Sequence, residues 1–128
     1  MSKKIALILA GSGVSDGSEI HETTMAMYAL AKNEIDYMCF APDIKQAHVI
    51  NHITGEEMND TRNVLIDSAR LARGNIKDIR ELDVNDYDGL FIPGGFGAAK
   101  NLSDFAFNGD KMNVQVDVGK AIKAFHKA

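Results

Sequence analysis

The chain has 128 residues, of which 45% are hydrophobic, so it is long enough to form one domain with a buried core. Its 14 basic and 18 acidic residues give a net charge of −4. This balance argues against a general nucleic-acid binder, because such binding depends on neutralising phosphates. The single cysteine, Cys39, excludes an intrachain disulfide and a cysteine-rich zinc site, and it favours a reducing compartment.

Residues 5–10 form an apolar run near the amino terminus that is too short for a signal peptide. The run ends in Gly-Ser-Gly instead of a cleavage site. No stretch approaches the roughly 20 apolar residues that a membrane span requires. We therefore predict a cytoplasmic protein that has neither a membrane nor a nucleic acid as partner.

The first half of the chain reads as a strand, a helix and a second strand. Residues 5–10 predict a strand that is buried on both faces. A helix is predicted over about 19–33, with the Ser18 hydroxyl as its N-cap. Its inward side chains are predicted to be Ile20, Met27, Leu30 and Ala31. A second strand over 37–41 ends at Pro42, and residues 43–59 fit no single element.

The second half continues this alternation. Asp60 is predicted to cap a helix that Gly74 ends. The predicted elements are a helix over 61–73, strands over 76–79 and 89–92, a short helix near 100–105, and a last helix with Val114, Val118, Ala121, Ile122 and Phe125 on one face. Alternating strands and helices predict an α/β fold with a parallel sheet. Ligands of such folds bind beyond the carboxyl ends of the strands.

The first glycine loop, residues 11–17, follows a strand and precedes a helix, as in dinucleotide-binding proteins. Asp43 lies where such proteins place a ribose-binding acid. However, the third glycine comes one residue late, and Asp16, Glu19 and Glu22 bring negative charge to the place of the pyrophosphate. A tight loop followed by acids that stabilise a helix N-terminus is the simpler interpretation. Glu22 fits it less well, because it lies one turn further into the helix.

The second glycine loop, residues 93–97, follows the predicted strand over 89–92. The adjacent Gly94 and Gly95 allow a sharp turn and leave backbone N–H groups uncovered by side chains. Such groups can form an oxyanion hole. A plain turn from a strand to a helix explains the glycines equally well.

Four segments resemble one protein family, the ElbB-type (enhancing lycopene biosynthesis) glyoxalase-like proteins. This family belongs to the PfpI-like branch of the class I glutamine amidotransferase superfamily. The resemblance extends from Lys4 to about His126. The segments that carry it are DGSEIHE, CFAPD, NHITGEEMNDTRNVLIDSARLARG and PGGFGAAKNLSDFA.

The resemblance implies a flavodoxin-like three-layer sandwich with a mainly parallel sheet. Residues 1–128 would form the N-terminal part of a single class I glutamine amidotransferase-like domain. In this family a cysteine on a tight elbow is the nucleophile, a glutamate pairs with it, and a glycine pair supplies an oxyanion N–H. Glu22, Gly94 and Gly95 match these catalytic positions. The implied reaction converts glyoxal, a small aldehyde, to glycolate without a metal or an organic cofactor.

The elbow cysteine of the family is absent from this chain. Cys39 lies inside a predicted strand, where a cysteine is typically an inert packing residue. We therefore expect the complete protein to be a glyoxalase-like enzyme of which this chain is the inactive N-terminal half. The chain alone is expected to need the complementary C-terminal half or self-association as a homo-oligomer. The alternative is a catalytically silent binding or regulatory domain in isoprenoid-related metabolism.

His48 and His52 raise the possibility of a metal site, because their i, i+4 spacing would place both rings on one face of a helix. Asn51 and Gly55 weaken that helix, and the segment lacks the Glu of a His-Glu-x-x-His motif. Surface histidines on an excursion loop are the favoured interpretation. Because long loops often carry function, the excursion over residues 43–59 could cover the pocket. Asn101 is predicted to cap or buttress the second glycine loop.

Overall fold

The structure is a computed structural model that describes residues 3–128. Its strands in chain order are β1 (Lys4–Ile8), β2 (Ser12–Gly13), β3 (Ser18–Glu19), β4 (Asp36–Ala41), β5 (Ile76–Asp78) and β6 (Gly89–Phe91). Its α-helices are α1 (Ile20–Lys32), α2 (Val64–Ala72), α3 (Phe96–Lys100), α4 (Phe105–Asn108) and α5 (Val116–Lys127). The predicted α/β architecture is confirmed.

Four strands form one parallel sheet in the order β5-β4-β1-β6, and the two short strands β2 and β3 pair beside it. The chain runs outward from β1 to β4 and β5, and then returns to the other side of β1 to form β6. The strand order therefore reverses between β1 and β6. Open α/β sheets bind ligands at such a reversal, beyond the carboxyl ends of the strands.

The segment from Ile5 to Ala10, which includes most of β1, is apolar because helices cover both faces of the sheet. Successive side chains of a strand point to opposite faces. Leu7 and Leu9 pack with Cys39 under α1 and α2, whereas Ala6 and Ile8 pack under α5. The result is a three-layer sandwich with a separate apolar core on each side of the sheet.

Helix α1 begins at the predicted place but is capped differently. Ser18 was the predicted cap; its hydroxyl instead accepts the Ala10 N–H at 2.8 Å. The carboxylate of Glu19 caps the helix by accepting the N–H groups of His21 and Glu22. Two of the predicted inward residues are wrong, since Ile20 is 42% exposed and Ala31 is exposed. Met27 and Leu30 do pack against the core.

Helix α2 starts later than predicted because Asn63, not Asp60, is its N-cap. The Asn63 side chain accepts the Ile66 N–H at 2.9 Å, whereas Asp60 accepts the N–H of the neighbouring Thr61. At the other end Arg73 adopts a left-handed conformation with φ of 53°, and the Gly74 N–H donates to the Ala69 carbonyl.

The last third of the chain differs most from the prediction. Helix α3 begins at Phe96, directly after the second glycine loop, and α4 is a separate short helix. Helix α5 begins at Val116, so Val114 lies before it, and Val114 and Ile122 are each 42% exposed. Val118 and Ala121 are buried as predicted and pack on the sheet.

Candidate functional site

The two glycine loops meet at the point where the strand order reverses. The first loop follows β1 and the second follows β6. Backbone hydrogen bonds join them: the Glu19 N–H donates to the Gly94 carbonyl at 2.8 Å, and the Gly97 N–H donates to the Gly17 carbonyl at 3.0 Å. The topology thus brings together two segments that lie about 80 residues apart in the sequence.

The centre of the site is an acid–amide pair, formed by the Glu22 carboxylate and the Gly94 N–H. Glu22 lies in the first turn of α1, and its Oε1 accepts the Gly94 N–H at 2.8 Å. Glu22 is exposed, so its other oxygen can reach solvent or a ligand. The structure therefore brings together the carboxylate and the glycine pair that the sequence singled out.

Glu19 orders the start of the helix that carries Glu22. Its two carboxylate oxygens accept the His21 N–H at 3.3 Å and the Glu22 N–H at 2.7 Å. The hydrogen bond from Glu22 holds the pKa of Glu19 below its ordinary value. Glu19 is therefore the ionised cap of α1, which agrees with the preference of anions for a helix N-terminus.

Gly95 could not be another residue without moving both loops. Its φ is +109°, and a Cβ built on it would collide with the Gly17 carbonyl and with the Glu19 N–H. Within residues 3–128 no acceptor binds the Gly95 N–H. Since Gly94 is already bonded to Glu22, Gly95 is the member of the glycine pair whose N–H can bind a developing oxyanion.

Two buried side chains fix the first glycine loop from behind. Asn101 donates to the Ala10 and Asp16 carbonyls at 2.9 and 3.1 Å, and it accepts the Ala47 N–H at 2.9 Å. Asn101 was predicted to buttress the second glycine loop, but its side chain holds the first loop instead, because α3 folds back against the residues that follow β1. The Ser68 hydroxyl in α2 accepts the Gly11 N–H at 2.8 Å. The sequence reasoning missed Ser68, because a serine within a helix carries no signal of a distant backbone contact.

Cys39 is unsuited to act as a nucleophile. It is buried inside β4 and packs with Leu7, Leu9 and Ala41. Burial raises the pKa of its thiol to about 11. A reactive cysteine needs access to solvent and a lowered pKa, so the structure supports the predicted packing role.

The excursion over residues 43–59 contains no α-helix, so His48 and His52 do not form the helical pair that a metal site would use. His48 pairs with Glu57 at 2.9 Å, and His52 contacts the first glycine loop. Among residues 3–128, no group of three His, Cys, Asp or Glu side chains could hold a metal ion. Asp43 accepts a hydrogen bond from the Asn63 amide, which gives it a structural partner.

Comparisons with known proteins identify similar sequences and a similar solved structure. The chain is 45% identical over 126 residues to human "Glutamine amidotransferase-like class 1 domain-containing protein 3, mitochondrial", covering 98% of this chain and 47% of that protein. It is 36% identical over 129 residues to zebrafish (Danio rerio) "ES1 protein, mitochondrial", covering 97% of this chain and 48% of that protein. The chain is similar in sequence to class I glutamine amidotransferase-like proteins. No family model matches it.

A solved structure extends the similarity to the fold. The crystal structure of an isoprenoid biosynthesis protein with an amidotransferase-like domain from Ehrlichia chaffeensis superposes with a TM-score of 0.92 and 40% identity. The superposition covers 97% of this chain and 59% of that one. The predicted flavodoxin-like fold is confirmed. The similarity supports the predicted superfamily, and the ElbB-type assignment stays a prediction.

The chain spans about half the length of the curated relatives it matches. Those relatives are named mitochondrial, so the predicted cytoplasmic location remains a prediction for this chain. Over residues 3–128, no helix is both long enough and apolar enough to cross a membrane.

Proposed function

We propose that this chain supplies the acid and the oxyanion donor of a thiol-dependent, cofactor-free enzyme that converts glyoxal to glycolate. The observation that carries the proposal is the 2.8 Å contact between the Glu22 carboxylate and the Gly94 N–H at the reversal point of the sheet. It holds a carboxylate beside the free Gly95 N–H, as proton transfer next to a developing oxyanion requires. Because Cys39 is buried, the thiol comes from a complementary polypeptide segment.

The proposed reaction begins when that thiolate adds to one aldehyde carbon of glyoxal. A C–S bond forms, and the carbonyl oxygen becomes an alkoxide that the Gly95 N–H binds. Glu22 then moves a proton from this carbon to the neighbouring carbon, which leaves a thioester of glycolate. One water molecule cleaves the C–S bond, releases glycolate and returns the thiol. Overall, glyoxal and water give glycolic acid, and no external oxidant or reductant is consumed.

Turnover of glyoxal by the protein purified from its source, followed as glycolate formation, tests the role of Glu22. The variant Glu22→Gln keeps an oxygen that can accept the Gly94 N–H but cannot carry a proton. We expect it to lower turnover by about 10²–10⁴-fold, the usual contribution of a general acid–base group. The matched control is Glu34→Gln, which lies just beyond the opposite end of α1. Unchanged turnover in Glu22→Gln would remove the proposed role of Glu22.

The second candidate is a catalytically silent binding domain in isoprenoid-related metabolism. Two observations favour it: Glu22 already accepts the Gly94 N–H, and Cys39 is buried. Mass spectrometry of the protein from its source separates the two candidates. A longer polypeptide with a later cysteine supports the enzyme, whereas a natural end at Ala128 without glycolate formation supports the silent domain.

A further inference from the structure

We infer that His52 is a positioning residue that holds the first glycine loop while its ring is neutral and releases the loop when the ring is protonated. His52 lies on the excursion, outside the acid–amide pair. The effect on catalysis rests on the proposed function. The effect on the loop does not, and it can be tested separately.

The hydrogen bonds at the two ends of the His52 ring define its tautomer. Nδ1 lies 3.0 Å from the Ile50 carbonyl, which can only accept, so Nδ1 carries the hydrogen. Nε2 lies 3.1 Å from the Val14 N and 3.2 Å from the Ser15 N. Both of these amides can only donate, so Nε2 carries no hydrogen. The two ends therefore require the same form, a neutral imidazole with its hydrogen on Nδ1.

The peptide groups held by His52 also hold helix α3. The Val14 carbonyl accepts the Phe96 N–H at 2.8 Å, and the Ser15 carbonyl accepts the Lys100 ammonium at 2.7 Å. Gly95, which immediately precedes Phe96, is the N-cap of α3. A shift of Val14 and Ser15 would therefore move the residue that follows the proposed oxyanion donor.

Asp16 is the acid that faces His52. Its side chain is nearly fully buried, and Oδ2 accepts the Ile50 N–H at 2.7 Å. Oδ1 is buried without a hydrogen-bond partner among the described residues and lies 3.7 Å from His52 Nε2.

The facing cation is Lys100, on α3, which is bonded to Ser15. On the excursion itself, Glu57 is paired with His48 and Glu56 is exposed.

Protonation reverses the role of Nε2 from acceptor to donor. The ring can then no longer accept the Val14 and Ser15 N–H groups, and its new N–H has Asp16 Oδ1 as the nearest available acceptor. The His52 side chain is 40% exposed, so protons from solvent reach it. Histidine is the side chain whose charge ordinarily changes between about pH 5 and 8. The loop is therefore held while the His52 ring is neutral and loosened once the ring is protonated.

Nuclear magnetic resonance on the ¹⁵N-labelled protein, in the oligomer or complex in which it is folded, tests this inference between about pH 5 and 8. While the ring is neutral, we expect the His52 ring nitrogen shifts to show the Nδ1–H tautomer. As the ring protonates, the hydrogen-exchange protection of the Val14 and Ser15 amides should fall about tenfold relative to the intrinsic rates at each pH, because both lose their acceptor.

Two variants separate the effect of losing the hydrogen-bond acceptor from the effect of protonating the ring. His52→Gln places an amide oxygen near the position of Nε2 but does not titrate, so protection should persist and become independent of pH. His52→Ala should show the low protection of the acid form at every pH. His48→Gln, on the same excursion and paired with Glu57, is the matched control and should keep the wild-type pH profile.

An Nε2–H tautomer in the neutral ring, or unchanged Val14 and Ser15 protection on protonation, would overturn the inference. So would a pH-dependent profile in His52→Gln. These readouts need no turnover, so they stand even if glyoxal is not a substrate. If the source protein does turn over glyoxal, His52→Ala should lower kcat more than it raises KM. His52→Gln should restore kcat and remove the fall of kcat at acid pH.

Discussion

Strands β1 and β6 are neighbours in the sheet, yet their surroundings differ sharply. They pair over three residues, from Ile5 with Gly89 to Leu7 with Phe91. Leu7 is completely buried, whereas Phe91 is 40% exposed. Strand β1 lies between two strands and beneath helices on both faces, while β6 is an edge strand with only Leu90 packed toward the α5 core. Two apolar strands can thus differ in burial because their neighbours differ.

The largest expected effect is the difference in stability loss between shortening one side chain in β1 and one in β6. Leu7→Ala should lower the free energy of unfolding by about 2–5 kcal/mol, because it removes buried apolar volume and leaves a cavity. In protein dilute enough to leave β6 unpaired, Phe91→Ala should cost less than about 1 kcal/mol, because its ring then contacts solvent. Urea unfolding of both variants measures the difference. Equal losses would show that Phe91 is covered in solution.

A smaller effect is expected at Cys39, which lies opposite Leu7 on β4. Burial raises the pKa of its thiol from 9.0 to about 11. Between these values the unfolded chain loses the thiol proton while the folded chain keeps it. The stabilising effect of the neutral thiol is therefore full below about pH 9 and is lost as pH rises toward 11.

Urea unfolding at a series of alkaline pH values measures this loss. We expect the free energy of unfolding to fall by up to about 2–3 kcal/mol between pH 9 and 11. The control is Cys39→Ala, which should lack this part of the decline while keeping any contribution from Tyr37, whose pKa is also raised by burial. If the two proteins lose stability equally, the thiol is accessible to solvent when folded.

The sequence predicted the layers, because they follow from apolar periodicity and from general rules of parallel sheets. The grouping of Glu22 with Gly94 and Gly95 came from the family resemblance. Sequence reasoning failed where one polar group had two plausible partners. Ser18 was predicted to cap α1, but its hydroxyl bonds the Ala10 N–H, and Glu19 takes the cap. A local pattern cannot foresee that a backbone donor from the preceding strand will compete for the same hydroxyl.

The excursion was the least predictable part of the candidate site. Residues 43–59 have no strong periodicity, and their order comes from contacts with distant residues such as Asp16, which accepts the Ile50 N–H. His52 was considered as a metal ligand at i, i+4 from His48, an idea that requires a helix. Its actual contacts are with backbone groups 37 and 38 residues away, and sequence spacing carries no information about them.

The smallest effect on stability concerns self-association. It tests directly whether the open edge of β6 pairs with another copy of the chain. Both edge strands are three residues long and have one side unpaired among the described residues, but β5 carries the exposed Lys77, a charge that discourages edge pairing. Strand β6 has no charged residue and ends in the exposed Phe91. We therefore predict that the chain alone associates through β6 instead of remaining a stable monomer.

Sizing chromatography with light scattering measures this association directly. Phe91→Lys should shift the chain toward monomer, because a charge on an edge strand resists pairing and desolvation, and it should change the free energy of unfolding by less than about 1 kcal/mol. Ile53→Lys is the control, because Ile53 is 96% exposed on the excursion and far in sequence from β6. A clean wild-type monomer with one cooperative thermal transition would contradict the prediction. It would also mean that Phe91 is tolerated at an open edge, so that the contrast between β1 and β6 reflects local packing alone and marks no interface.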